Sequence, residues 1–234
     1  MRRYLITGSN RGIGFELTRQ LLAQGHQVFA TCRTPTQSDA LQQLATQHNG
    51  QLMLIPLDVT NPASIAEAHT ILSKQTDVLD VLINNAGVLN DGDSIETIQA
   101  EVMMGNFAIN TIAPAMIVQR FLGLLKYGSH PLIVNLSSSF ASIGLKSEEM
   151  PFRYSYSTSK AALNMLSKTL AIELKPLGIT VVALHPGWVR TDLGGPDARL
   201  APSESVEGIL QVIEKLSLDD SGTYLTWRGS EVPW

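Results

Sequence analysis

The chain has 234 residues, enough for one large α/β domain or two small ones. Hydrophobic residues make up 44% and charged residues 16%, the balance of a globular core under a modest polar surface, which sets aside a disordered or fibrous chain. The net charge of −4 comes without any basic run, so neither nucleic acid nor an anionic membrane is an expected partner.

Residues 3–7 read as a short buried strand. A glycine-rich turn from Gly8 to Gly14 follows and opens a helix over 15–23, which Gly25 stops. Residues 27–31 form the next strand, completing a right-handed parallel βαβ unit. Glycines at such a turn let the backbone approach a pyrophosphate, and the helix N-terminus offers free N–H groups and the positive end of a dipole. The spacing here is T-G-x-x-x-G-x-G rather than the commoner G-x-G-x-x-G. The alternation then repeats. A helix at 37–48 leads to a strand at 52–57 ending in Asp58 and Val59. Asn61 and Pro62 start a helix through 75, Asn as the N-cap and Pro in the first turn. A strand at 78–83 runs into Asn84, Asn85, Ala86 and Gly87. The helical stretch at 97–125 contains Pro114, which is expected to kink or split it. A strand at 132–136 ends in Ser137, Ser138 and Ser139. A helix at 154–174 is stopped by Gly178, a strand at 180–184 ends in His185, Pro186 and Gly187, and a helix at 203–216 precedes a last strand at 223–226. Strict alternation without a linker argues for one doubly wound domain over residues 1–234.

Cys32 is the single cysteine, so no internal disulfide forms and a reducing cytoplasmic setting is expected. The first strand begins too close to Met1 to leave room for a signal peptide, and no run of about 18 apolar residues spans a membrane. The five histidines are scattered, and no metal site is expected.

In a doubly wound sheet, ligands bind beyond the carboxyl ends of the strands. The clusters at 7–14, 58–59, 84–87, 137–139 and 185–191 all follow predicted strands, so they are expected to line one crevice. The helix at 154–174 carries Tyr156 and Lys160 to the same place. Four residues apart, their side chains share one helix face. An ammonium beside a phenol favours the phenolate, so Lys160 is expected to lower the Tyr156 pKa and fit it for acid–base chemistry near neutral pH. The pair alone also occurs wherever a lysine stem packs on a ring; its setting gives it weight.

Thr7, Gly8, Gly12 and Gly14, Asp58-Val59, the run Asn84 to Gly87, Asn110, Ser138, Tyr156 with Lys160, and Pro186-Gly187 with Thr191 together resemble the short-chain dehydrogenase/reductase family along nearly the whole chain. Within it, the segment from His185 to Asp192, the Gly194-Gly195-Pro196 turn and the tail from Glu231 to Trp234 are most similar to the small C-factor and sniffer-type carbonyl reductases. The resemblance implies a single-domain Rossmann fold, a doubly wound parallel β-sheet flanked by helices. It implies an NAD(P)-dependent oxidoreductase that reduces a small-molecule aldehyde, ketone or quinone to an alcohol. Tyr156 would protonate the alkoxide, Lys160 would tune Tyr156 and bond the nicotinamide ribose, Ser138 would donate to the carbonyl oxygen, and Asn110 would hold a relay water. Cofactor contacts are expected from Gly8, Ser9, Asn10, Arg11, Gly12, Ile13, Gly14, Arg33, Asp58, Val59, Asn85, Ala86, Tyr156, Lys160, Pro186, Gly187, Val189 and Thr191.

An acidic residue after the second strand would select NAD by bonding the ribose 2′-OH. Thr31-Cys32-Arg33 stands there instead, and Arg33 with Arg11 suits a 2′-phosphate, which favours NADPH over NADH. Among neighbouring candidates, Ser137 and Ser139 are expected to cap backbone groups, Tyr154 lacks a lysine four residues on, Asn106 is expected to be structural, and His185 a packing residue. Asn84 is expected to tie the strand and Asn85 to face the cofactor, while Trp188 either lines the pocket or covers it. The loop at 143–153 is longer than compact members carry and is expected to border the substrate, and 192–202 to act as a mobile lid. Apolar stripes on the helices at 97–125 and 154–174 suit a homodimer or homotetramer contact, or the core. The readings left open beside a reductase are NAD-linked alcohol oxidation and a cofactor-binding signalling protein on the same fold.

Overall fold

A computed structural model describes residues 1–90 and 94–234. The described strands are β1 (Arg3–Thr7), β2 (Gln27–Cys32), β3 (Leu52–Pro56), β4 (Val81–Asn84), β5 (Leu132–Leu136), β6 (Thr180–His185) and β7 (Tyr224–Thr226). They form one seven-stranded sheet in the order β3-β2-β1-β4-β5-β6-β7, with every pairing parallel. The strand order reverses between β1 and β4, so the crevice that binds ligands in this topology opens there.

The helices are α1 (Gly12–Ala23), α2 (Asp39–Gln47), α3 (Pro62–Ser73), α4 (Ala100–Phe107), α5 (Ala113–Leu125), α6 (Tyr154–Leu174) and α7 (Pro202–Lys215). They cover both faces. Tyr4 and Ile6 of β1 pack with Leu17 and Leu21 of α1, Leu41 of α2 and Ile209 of α7, while the intervening Leu5 packs with Leu72 of α3, Phe121 of α5 and Leu174 of α6. Side chains alternate across a strand, so burial on both faces demands the uninterrupted apolar runs the sequence shows. Asn61 caps α3 as expected, accepting from the Ala63 and Ser64 N–H groups.

The expected break in the helical stretch at 97–125 takes a particular form. A π-helical turn, Ala108–Ile112, joins α4 to α5, and Pro114 lies in the first turn of α5. Pro114 has no N–H to give the Asn110 carbonyl four residues back, so a regular α-turn cannot close there. The same stretch bears on the membrane reading. Ala100–Leu125 is 26 residues long with a mean hydropathy of 1.4 over its most apolar part, long and apolar enough to cross a membrane. Polar residues interrupt the run, which is why a search for consecutive apolar residues passes over it. Here its inner face, with Ile117, Phe121 and Leu124, is core.

At the far edge of the sheet the chain folds back along β7. Val232 N–H donates to the Tyr224 carbonyl and Thr226 N–H to the Ser230 carbonyl, which covers the outer edge of that strand.

Candidate active site

A cleft of about 650 Å³ opens over the carboxyl ends of β1, β2, β4 and β5. Gly8, Asn10, Arg11, Gly12 and Ile13 line it from the first turn, Arg33, Asp58 and Val59 from the ends of β2 and β3, and Asn85 and Ala86 after β4. Tyr156, Lys160, Pro186 and Thr191 continue this wall, while Ser138, Asn110 and Gly14 are not part of the lining. Gly8 and Gly12 have φ of +68° and +55°, the left-handed region that glycine enters without cost. A side chain at Gly14 would come within 2.2 Å of the Gly8 carbonyl oxygen, so that glycine serves the packing of the turn on itself.

Several expected residues stand elsewhere. Ser9 is buried, its hydroxyl donating to the Ile6 carbonyl and its N–H to the Thr31 carbonyl, so it braces the turn instead of facing the cleft. Gly187 and Val189 also lie outside the lining: a side chain at Gly187 would meet Leu200 at 2.3 Å, and Val189 is buried on a bridge to Leu200. Asn84 ties β4 to β5 by donating to the Asn135 side chain. Asn85 lines the cleft, but its amide donates to the Thr7 and Gly8 carbonyls and so holds the glycine turn against β4. Asp58 accepts from the Thr60 hydroxyl and N–H, which hold its carboxyl below the ordinary range. Arg11 reaches Asp192 at 2.6 Å across the cleft mouth, a mostly exposed pair and therefore a weak one.

Around Tyr156 the groups are close and dry. The Ser138 side chain stands near the Tyr156 phenol, its oxygen accepting from the Phe140 N–H, and Phe140 meets the Tyr156 ring edge-on at a centroid distance of 6.3 Å. Asn110 is fully buried in the π turn; its side chain accepts from the Val88 N–H and donates to the Val88 carbonyl and the Ser159 hydroxyl. Gly87 keeps the space between them open, since a side chain there would lie 3.3 Å from Asn110 Oδ1 and 3.5 Å from Lys160 Nζ.

The electrostatics reverse one expectation. Burial raises the Tyr156 phenol above its usual value, with the nearby Ser138 side chain and the Arg153 charge pulling the other way. The Lys160 Nζ donates to the Leu136 carbonyl at 2.8 Å, and burial lowers the ammonium to about 8. Burial penalises the charged form of each group, and the lysine is turned toward the strand.

The neighbouring candidates sort as follows. Ser137 donates to Asn164, not to a backbone group, and the Ser139 N–H is held by His185 Nδ1. Burial takes His185 down to about 4, so the ring is neutral and structural. Asn106 bonds back to the Val102 carbonyl inside its helix. Trp188 braces the 192–202 segment by donating to the Gly194 carbonyl, and Arg190 donates to the Ala198 and Arg199 carbonyls, so that strap is tied internally. Ser159, which links α6 to Asn110, was passed over by sequence reasoning although it sits inside the Tyr156-to-Lys160 run.

The sequence model of the family described as short chain dehydrogenase matches residues 2–199, and the chain belongs to that family. C-signal of Myxococcus xanthus is 38% identical over 159 residues, covering 68% of this chain and 95% of that protein. An NADPH-bound carbonyl reductase from chicken fatty liver superposes with a TM-score of 0.94 at 40% identity, covering 100% of this chain and 99% of that one. The carbonyl reductase Sniffer of D. melanogaster superposes with a TM-score of 0.95 at 33% identity, covering all of both chains. The chain is thus an oxidoreductase of the short-chain dehydrogenase/reductase family with close structural likeness to carbonyl reductases.

Proposed function

We propose that this protein is an NADPH-dependent carbonyl reductase in which Tyr156 is the general acid. The observation that carries the reading is the junction of two sites: Tyr156, buried beside Ser138, stands with Lys160 at the wall of a cleft whose other end is a glycine turn. The cleft suits a dinucleotide in size, and the turn presents the N-terminus of α1 with no side chain at Gly8 or Gly12 to block a pyrophosphate. NADPH supplies a hydride when bound. Arg33, lining the cleft at the end of β2 near Asp58, holds the 2′-phosphate; Arg11, in its exposed pair with Asp192, is readily drawn to the same charge.

The residues divide the remaining work. Ser138 donates to the substrate carbonyl oxygen and stabilises the charge that develops there. Tyr156, a phenol that is protonated at neutral pH and that burial keeps so, delivers the proton to that oxygen. Lys160 bonds the nicotinamide ribose and resupplies the proton. Behind it, the Asn110 side chain is spent on Val88 and Ser159, so the relay water rests on the Asn110 main-chain carbonyl, which Pro114 leaves without its usual donor. The protein works in the cytoplasm, on small carbonyl compounds, as a homodimer joined through the outer faces of α4, α5 and α6.

The test is loss of absorbance at 340 nm with NADPH and with NADH over aldehydes, ketones and quinones. Wild type turns over with preference for NADPH, and Tyr156→Phe loses about a thousandfold in kcat while still binding NADPH. Turnover retained by Tyr156→Phe removes the mechanism. NADPH binding without turnover on any carbonyl favours the signalling reading, and turnover only of alcohols with NAD favours the dehydrogenase.

A further inference from the structure

The segment that carries Ser138 is gripped from a part of the chain far away in sequence. Tyr224 of β7 is buried, and its hydroxyl donates to the Ser138 carbonyl, which also accepts from the Ala141 N–H. The ring of Trp234 lies against Tyr224 with centroids 5.3 Å apart, and Lys168 of α6 places Nζ 5.9 Å from the Trp234 ring. Next to it, the Ser142 hydroxyl donates to the Pro233 carbonyl and the Gly144 N–H donates to the Trp234 carbonyl at 2.9 Å. Val232 anchors this tail by packing with Tyr224 and Ala183. One end of the 138–146 segment is thus held by Tyr224 and the other by Pro233 and Trp234. Between them stands Phe140, edge-on to Tyr156.

We propose that Tyr224 and the 231–234 tail seated on it are positioning residues that fix Ser138 against Tyr156. The proposal rests on the carbonyl reductase reading, in which Ser138 must meet a carbonyl oxygen within hydrogen-bond reach of the Tyr156 phenol. The Ser138 hydroxyl oxygen accepts from the Phe140 N–H, so its place depends on the 138–141 turn, which the two donors on the Ser138 carbonyl hold. Burial pushes the Tyr224 phenol up to about 12, so it stays a donor across the working pH range. Small misplacements of an oriented group cost large factors in rate, which makes such bracing worth its cost in ordered chain.

Tyr224→Phe keeps the ring and its contact with Trp234 and removes only the donor. Trp234→Ala removes the ring that seats the tail on Tyr224 and so loosens the second grip, and Trp234→Phe retains an aromatic face there. Steady-state kinetics, fluorescence titration with NADPH and amide hydrogen exchange are measured for all three and for wild type. Tyr224→Phe and Trp234→Ala are expected to lower kcat about tenfold or more while the KM and Kd for NADPH stay within about twofold, because the glycine turn is remote. Trp234→Phe restores most of kcat. The amides of residues 141–144 exchange faster in the first two variants, and those of β1 and β2 do not change. Wild-type kcat in Tyr224→Phe, or losses shared equally by kcat and NADPH affinity, would overturn the proposal. If wild type reduces no carbonyl, the function has failed separately, and the exchange data alone decide: unchanged exchange at 141–144 disproves the clamp.

Discussion

Lys160 sits fully buried with its ammonium on the Leu136 carbonyl, and this placement has a stability consequence. Unfolded, it binds its proton up to its ordinary 10.5; folded, only up to about 8. The unfolded state therefore holds more protons between those limits, so the penalty is full below pH 8 and gone above 10.5. Lys160→Met is expected to raise stability at pH 7 by about 1–2 kcal/mol, the relieved desolvation less the Leu136 carbonyl it strands, and to abolish turnover. Thermal melts at pH 7 and 10 check this: the gain must shrink at the higher pH, and no gain at pH 7 would mean the ammonium is not desolvated. Arg153 makes a second case. It holds φ +45° and ψ 55° at the start of α6, a conformation that costs a non-glycine residue about 1 kcal/mol, and its guanidinium lies 5.0 Å from the Phe140 ring centroid. Burial raises the Tyr156 phenol, and the Arg153 charge is one of the influences that pulls it back. Arg153→Gly is expected to hold or raise the melting temperature. It should also move the alkaline limb of alcohol oxidation, which needs the phenolate, upward. A limb that stays in place would show that the charge does not reach the phenol.

The π turn between α4 and α5 shows what the sequence states and what it leaves to the fold. Pro114 announces a break, because a missing N–H cannot be repaired by packing. The form of the break is not written locally: Asn110 is drawn inward by Val88 and Ser159, on segments distant in sequence, and that pull sets the wide turn. Pro114→Ala restores a donor to the Asn110 carbonyl. It is expected to leave the fold at least as stable and to lower kcat about tenfold, with NADPH affinity unchanged. Unaltered kcat would place the relay water elsewhere. The strands and helices were legible because apolar runs and alternation report burial on two faces, and the cleft because glycine and polar clusters close the strands. The direction of the Tyr156 shift was not legible, since spacing on a helix does not tell which way a lysine turns. Nor was the grip of Tyr224 and Trp234, whose partners lie some 90 residues earlier in the chain.

Over the whole molecule, the long apolar stretch and the question of assembly are one problem. Ala100–Leu125 is apolar on two sides: the inner one is core, and the outer one leaves Met104, Ile112 and Met116 exposed. Met165 and Ile172, seven residues apart on one face of the adjacent α6, are 68% and 69% exposed. A surface of that kind on neighbouring helices is larger than scattered exposed residues explain. The other edge of the molecule is closed to growth, because the outer side of β7 already pairs with 230–232. A two-fold contact through α4, α5 and α6 buries the apolar face, and a stable one needs about 800 Å² from each partner. Wild type is therefore expected to run as a dimer in size-exclusion chromatography with light scattering. Met165→Glu combined with Ile172→Glu should run as a monomer that still binds NADPH, since neither residue lines the cleft. A monomeric wild type, or a dimer that survives both charges, would move the contact away from these helices.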